Sequence, residues 1–464
     1  MKVLLAASEV APIVKLGGLG DVMGSLPKAL EKIGVNVDVV IPFYPSAKIS
    51  NLKVYKSLEI EVPFEQSNVT VEVFKTKLPD SNVDVFLLRN PAYFSVGGKT
   101  AFANNISESK MFAFFDKAVV ELLKSEFNTY DIVHCNDWHT GFVTHLLEDE
   151  MGESRPRTLL TIHNLSYQGV GPESLVRDLG VVPGDHQLVA WDLDDNKINF
   201  LLQGITSSDY VSTVSPSYAS EILFKDVGGE LSEILQSRKD RLTGILNGID
   251  YTLFKRNYDV SNWKQEKPAV KKKLQKKLNL TQNEAAPLFS FISRLDPNQK
   301  GLDILFDCVS GIVELGGQFV LLGTGDPTWE NKFLTLADNR AISISIDFDV
   351  DLANEIYEGA DFILVPSKYE PCGLTQMIGM HYGTLPVVHG VGGLKDTVTE
   401  GKTGFVFNTY SVKELQRAIN RACAVFKKNE KYDEMVSSAL KADFSWKKSA
   451  AKYKELYERM LNGR

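Results

Sequence analysis

Cysteine is scarce in this chain. Four residues, Cys135, Cys308, Cys372 and Cys423, are scattered over 464, with no CxxC pair. That spacing excludes a disulfide-stapled secreted domain and reads as reduced thiols in a cytosolic-type compartment. Long hydrophobic runs are also missing: nothing approaches the roughly 18 apolar residues of a spanning helix. The apolar start, Val3–Ala7, is too short for a signal peptide and runs into Glu9. A cytoplasmic protein is expected, or one of the plastid stroma if a transit peptide has been removed. There is no basic excess, since 51 Lys and Arg face 59 Asp and Glu for a net charge of −8. Neither nucleic acid nor an anionic membrane is therefore an expected partner.

Several familiar motifs fail on a single position. Gly401-Lys402-Thr403 has Asp396 where a P-loop needs its first glycine. Asp347-Phe348-Asp349-Val350-Asp351 has Leu352 where an EF-hand needs glycine. His134, Cys135, His139 and His145 match no zinc spacing, and HExxH is absent. No metal and no cofactor is expected. The sequons at Asn68 and Asn105 carry no weight without a secretory context.

What is present is ordinary globular material, 44% apolar and 24% charged, with length for about two to four domains. Short apolar runs alternate with helical patterns, the sequence form of βαβ units and parallel sheet. Strands are expected at Val3–Ala7, Val35–Ile41, Val83–Leu88, Ile132–Cys135, Leu159–Ile162 and Tyr210–Val214. A second series comprises Leu288–Ser293, Phe319–Leu322, Phe362–Val365 and Leu385–Val388. The fold class is α/β, with two doubly wound Rossmann-like domains over residues 1–248 and 249–444. A closing helix over 445–464 is expected to cross back onto the first domain. The lysine-rich run Lys267–Lys277 is read as a solvated helix. Ligands of such sheets bind beyond the strand carboxyl ends, here in a cleft between the domains.

Polar clusters sit at those ends. Lys15-Leu16-Gly17-Gly18-Leu19-Gly20 precedes the first helix, as an anion-binding loop or a plain tight turn. Arg294 and Lys300 flank a strand-to-helix link and suit a pyrophosphate, against the alternative of surface cations. Glu370 stands before Pro371-Cys372-Gly373-Leu374-Thr375, as a ligand for sugar hydroxyls or a structural cap. Cys372 lacks a positioned base and reads as an inert thiol. Asp137 and His163 lie at or just after strand ends, as site residues or satisfied loop polars.

Taken together, Lys15–Asp21, His134–His139, Thr161–Gly169, Lys197–Leu201, Thr213–Ser217, Gly244–Tyr251, Gly323–Pro327, Pro366–Gln376 and Gly392–Val398 resemble the bacterial glycogen synthase and plant starch synthase family. The match runs nearly end to end. The resemblance implies the GT-B architecture and retaining transfer of glucose from ADP-glucose to the non-reducing end of an α-1,4-glucan. It implies that Lys15, Gly17 and Gly18 approach phosphate or glucose, and that Asp137 and His163 serve the glucose and acceptor side. It implies that Arg294 and Lys300 hold the pyrophosphate and Glu370 the glucose hydroxyls. The amides of Gly373, Leu374 and Thr375 would meet the phosphate, and Phe348 would stand near adenine in place of tyrosine. The chain departs from the family at Leu16, in one extra residue between Arg294 and Lys300, and at His381 and His389, where arginine is common. The rival readings are a retaining GT-B enzyme of another nucleotide sugar or acceptor, and a two-domain sugar-binding protein without catalysis.

Overall fold

A computed structural model describes residues 1–94, 107–125 and 129–463; Asn105 lies outside them. The chain divides into two compact units, 1–214 with 219–248 and 446–464, and 215–218 with 249–445. Each is built on a mainly parallel sheet whose inner strands are buried and largely apolar, with a few polar residues such as His134, Thr161 and Ser290 among them.

In the first unit the strands are β1 (Lys2–Ala6), β2 (Asn36–Pro42), β3 (Tyr55–Phe64), β4 (Ser67–Lys77), β5 (Asp84–Arg89), β6 (Ile132–Asn136), β7 (Arg157–Ile162), β8 (Val170–Pro172), β9 (Lys197–Asn199), β10 (Tyr210–Thr213) and β11 (Leu242–Gly244). Nine of them form one sheet in the order β11-β10-β7-β6-β1-β2-β5-β4-β3, while β8 pairs with β9. The reversal of order around β1 leaves the loops after β1 and β6 side by side, the switch point where such sheets bind ligands. The hairpin β3–β4 is not among the expected strands. Its two turn residues, Glu65 and Gln66, both have positive φ, the type I′ requirement, without the Asn-Gly signature that announces such a turn. The alternation Ile60, Val62, Phe64 inward and Glu59, Glu61, Pro63 outward is nonetheless a half-buried strand pattern.

The helix Trp446–Asn462 completes this unit. Its Tyr457 hydroxyl lies 2.8 Å from His134 Nδ1, and His134 Nε2 lies 2.6 Å from Thr161 Oγ1. Thr161 continues to Ser212 Oγ at 2.6 Å, so a polar thread crosses β6, β7 and β10. His134 is a buried structural group, its pKa lowered to about 3 by desolvation.

The second unit holds β12 (Leu288–Ile292), β13 (Gln318–Leu322), β14 (Ile342–Ser345), β15 (Phe362–Val365), β16 (Leu385–His389) and β17 (Phe405–Phe407), all parallel in the order β14-β13-β12-β15-β16-β17. Both units thus carry the Rossmann-like parallel sheet of the α/β class.

The lysine-rich helix, Trp263–Lys277, is solvated on one face, where Lys272, Lys273, Lys276 and Lys277 are exposed, and departs from the solvated reading on the other. Its face at i, i+4, i+8 is buried: Lys267, Lys271 and Gln275. Lys271 Nζ reaches Asp361 at 2.6 Å. Lys267 Nζ finds only neutral acceptors, the Tyr258 hydroxyl at 3.1 Å, the carbonyls of Glu358 and Tyr382 at 3.0 and 3.2 Å, and Thr384 Oγ1 at 3.1 Å. Burial lowers its pKa to about 7. An unfolded lysine keeps its proton to about pH 10.4. Between those values the unfolded chain binds the extra proton, so this group makes stability rise with pH. The difference in unfolding free energy between wild type and Lys267→Met should therefore grow in favour of wild type from pH 7 to 10. Denaturant melts across that range check it, and a pH-independent difference would remove the assignment.

Among the described residues no helix is long and apolar enough to cross a membrane.

Candidate active site

In the first unit, β1 is followed by Ala7-Ser8-Glu9, and the chain returns through Lys15–Gly17 into the helix Gly18–Lys32. Gly17 caps that helix without a side chain of its own. The buried Glu9 does the work instead. Its carboxylate accepts from the Leu16 N–H and from the Gly17 N–H at 3.0–3.1 Å. Gly20 lies so close that a Cβ would stand 2.9 Å from Glu9 Oε2. Desolvation raises the Glu9 pKa, and the backbone N–H groups oppose that rise. Lys15 forms an ion pair with Asp21 at 2.7 Å. The Lys15–Gly20 loop is thus already served by a carboxylate, and Gly17 offers its N–H to protein rather than outward.

Asp137 follows β6 with φ of 59°, uncommon for a residue with a side chain. The cause is visible in its bonds: Oδ1 accepts from the N–H of His163 at 2.7 Å and of Asn164 at 3.3 Å. The carboxylate therefore fixes the loop after β7. Burial pushes its pKa up to about 7. His163 Nε2 lies 3.0 Å from Asn136 Oδ1, and Asn136 Nδ2 is committed to the carbonyls of Ala6 and His134. His163 must then donate through Nε2, which leaves Nδ1 as an acceptor. Burial lowers its pKa to about 3, so the ring is neutral at pH 7 and brings no cation.

In the second unit three segments converge at the carboxyl ends of β12, β15 and β16. Gly323 and Gly325 let the loop after β13 approach the Ser293–Leu295 backbone; Cβ atoms there would lie 2.0 Å from Ser293 O and 2.5 Å from Leu295 O. Leu295 N donates to Thr324 O and Asp326 N to Leu295 O, which holds the flanks of Arg294. The Arg294 guanidinium itself is 62% exposed, with Gln299 Oε1 at 3.5 Å and Asp296 Oδ2 at 3.9 Å.

The link between Arg294 and Lys300 closes in a turn. Asp296 Oδ1 accepts from Asn298 N at 2.9 Å, and Asp296 O accepts from Lys300 N at 2.9 Å. Lys300 does not swing into solvent: its Nζ lies 2.7 Å from Glu370 Oε2 and its side chain is 17% exposed. Gly301 follows at φ +69°, with Pro366 O 2.1 Å from where a Cβ would be, so only glycine lets the helix Leu302–Glu314 start there.

Glu370 Oε2 also accepts from Ser367 Oγ at 2.9 Å. Ser367 is held in turn by His389, whose Nδ1 donates to Ser367 O at 2.8 Å while its ring stacks on Phe407. His381 donates through Nε2 to Phe254 O at 2.8 Å. Burial lowers the pKa of both histidines, and both hold backbone carbonyls. Beyond Glu370, the backbone N–H groups of Gly373, Leu374 and Thr375 donate to no acceptor among the described residues. Three open donors in succession are the kind of backbone arrangement that can accept an anion. Cys372 is 6% exposed. Phe348 stands apart on the surface with 69% of its area exposed, so its ring is not packed in the core.

Among the described residues no group of three His, Cys, Asp or Glu could hold a metal ion. Three supporting residues carry no role in the sequence reading: Glu9, Ser367 and Gln376. Their signals were thin: a lone acid after an apolar strand, and polar residues inside a longer motif.

Two units built on Rossmann-like parallel sheets, with polar groups at the strand carboxyl ends, are the framework of the GT-B class of glycosyltransferases. Comparison with known proteins gives the family. Residues 2–237 match the starch synthase catalytic domain and 271–441 the glycosyl transferases group 1. The chain is 38% identical to the glycogen synthase of Fervidobacterium nodosum, covering 99% of both chains. It is also 38% identical to that of Lactobacillus acidophilus, over 99% of this chain and all of the other. The catalytic domain of starch synthase IV from Arabidopsis thaliana, bound to ADP and acarbose, superposes with a TM-score of 0.89 at 31% identity, over 100% of this chain and 99% of that one. Sucrose-phosphate synthase from Thermosynechococcus elongatus, at 0.63 and 20% over both whole chains, shares the fold. The chain belongs to the glycogen and starch synthase family and is a glycosyltransferase.

Proposed function

We propose that this enzyme transfers glucose from ADP-glucose to the non-reducing end of an α-1,4-glucan, glycogen or starch, with retention at the anomeric carbon. The observation that carries the reading is the cluster of Arg294, Lys300 and the three open amides around Glu370. Breaking the glucose–phosphate bond sends negative charge to the leaving diphosphate. Fixed cations and amides aimed at that charge are what stabilise such a transition state. Lys300 has three donors, so it serves Glu370 and a phosphate oxygen together. Glu370 accepts from glucose hydroxyls. In the first unit the hydrogen-bonding acids Glu9, Asp21 and Asp137 outnumber the cation Lys15. That balance favours sugar hydroxyls over phosphate there. Asp137 and the neutral His163, with its open Nδ1, are the acceptor-side groups, and Gly18 is the point of close approach, with open space where a Cβ would be. We found no carboxylate dyad in the sequence for double displacement, which supports same-face attack by the acceptor hydroxyl. The four buried free thiols fit a cytoplasmic enzyme.

Incubation with labelled ADP-glucose and glycogen tests this, with and without EDTA. Growth of the polymer in both arms is expected. Turnover only with UDP-glucose, or only with a small acceptor, would favour another retaining specificity. Binding without transfer would favour a sugar-binding protein. Loss in EDTA with recovery in magnesium would overturn the metal-free charge assignment.

Phe348 offers a ring face to adenine, a reading its exposed ring supports. A base–aromatic stack is worth about 1–3 kcal/mol, so Phe348→Ala should raise the Kd for ADP about 5- to 150-fold. The ring is exposed, so Tm should hardly move. Calorimetry that returned unchanged ADP affinity would take Phe348 out of the site.

A further inference from the structure

The open amides of Gly373–Thr375 need something to turn them outward, and one side chain is placed to do so. Gln376 is wholly buried in the first turn of the helix Thr375–His381. Its Nε2 donates to Cys372 O at 3.1 Å, Gly373 O at 2.9 Å and Thr397 Oγ1 at 3.1 Å. Two of these partners are carbonyls, which only accept, so the amide can sit only one way round. Thr397 agrees: its hydroxyl donates to Gly393 O at 2.6 Å and presents a lone pair to Gln376.

In a trans peptide the N–H points opposite to the C=O. Drawing the carbonyls of Cys372 and Gly373 toward the buried amide therefore turns the N–H groups of Gly373 and Leu374 away from it. The Gly373 conformation, φ +72°, is part of the same arrangement; a Cβ there would lie 2.5 Å from Gln376 Oε1. The Gln376 Oε1 atom itself is buried without a hydrogen-bond partner. A side chain kept in that state at some cost is held for its donor side.

We propose that Gln376, locked by Thr397, is a positioning residue that preorganises the diphosphate-binding amides of Gly373 and Leu374. This rests on the donor reading given above. Its effect is directed at the phosphates, since its amide bonds run to Cys372, Gly373 and Thr397 and not to Arg294 or Phe348.

The test compares ADP with adenosine. Gln376→Glu keeps the size and removes the donor, setting a carboxylate against two carbonyls. Thr397→Val is the milder variant, which removes one of the three acceptors that hold the amide while keeping the packing. Calorimetry on the folded full-length proteins should show ADP affinity falling about tenfold or more in Gln376→Glu, by the scale of one hydrogen bond to a charged group. Thr397→Val should fall less and in the same direction. Adenosine affinity should hold in both, and kcat/KM for ADP-glucose should fall while the KM for glycogen stays. ADP and adenosine affinities falling together, or ADP affinity unchanged in either folded variant, would overturn the role of Gln376. A wild-type enzyme that bound ADP no better than adenosine would instead overturn the donor reading beneath it.

Discussion

Replacing Lys300 with alanine should cut kcat/KM for ADP-glucose by at least about tenfold, and Arg294→Ala should do the same, since a hydrogen bond to a charged group is worth about 1.5–3 kcal/mol. The two variants should differ sharply in stability. Arg294 is 62% exposed and its nearest carboxylate oxygen is 3.9 Å away. Surface changes of that kind usually move stability by no more than about 0.5 kcal/mol. Lys300 is mostly buried against a carboxylate that is 8% exposed. Removing it leaves Glu370 with Ser367 Oγ as its recorded side-chain donor, and breaking a buried pair costs about 3–5 kcal/mol. Lys300→Ala should therefore lose both activity and several degrees of Tm, Arg294→Ala activity alone. Kinetics and melts on the same preparations separate them. A Lys300→Ala enzyme with a lowered Tm but unchanged kcat/KM would reduce the lysine to a support for Glu370, leaving Arg294 alone on the phosphates.

That contrast depends on a contact no spacing rule announces. The expected strands fall where they do because Val, Ile, Leu and Phe runs bounded by Gly, Ser and Pro have few other uses in a chain with helices between them. Leu288–Ile292 and Phe362–Val365 are of this kind, and the two Rossmann-like sheets follow from them. Where a strand relied on a turn of unusual residues, as at Glu65-Gln66, it was hidden. Polar burial was hidden more deeply. Lys267 and Lys271 look like any solvated lysines until the sheet edge supplies Asp361 and a ring of carbonyls. Long stems let the charge travel to a partner far along the chain.

The candidate site shows the same division. Arg294, Lys300 and Glu370 stand out as charged residues beside strand ends, a local property. Their mutual geometry is not local: Lys300 and Glu370 are 70 residues apart and meet at 2.7 Å. Glu9 is a further case. Its partners, Leu16 and Gly17, lie within eight residues, yet its position is set by where β1 ends and the following helix begins. A sequence pattern shows which groups arrive at an edge. Packing decides which of them hold backbone and which face outward.

Glu370→Gln should then show the two roles of this carboxylate apart. The amide keeps the shape and can still accept from Ser367 Oγ, so the fold should survive with a modest loss of Tm. What disappears is the charge that accepts from sugar hydroxyls. Charge-assisted hydrogen bonds are roughly twice as strong as neutral ones, and those that tighten in the transition state count toward kcat. A fall in kcat of about an order of magnitude or more is expected, by the same 1.5–3 kcal/mol scale that applies to charged partners. ADP affinity should move in the opposite direction. In the free enzyme Lys300 Nζ is committed to Glu370 at 2.7 Å. Neutralising Glu370 releases that ammonium to the phosphates and removes a negative charge from beside them, so ADP should bind as tightly as before or more tightly. Stopped turnover with ADP titrated by calorimetry measures both quantities on one variant. Full activity in folded Glu370→Gln would strip the carboxylate of any part in transfer. Lost activity together with weakened ADP binding would mean that Glu370 serves chiefly to hold Lys300 in place.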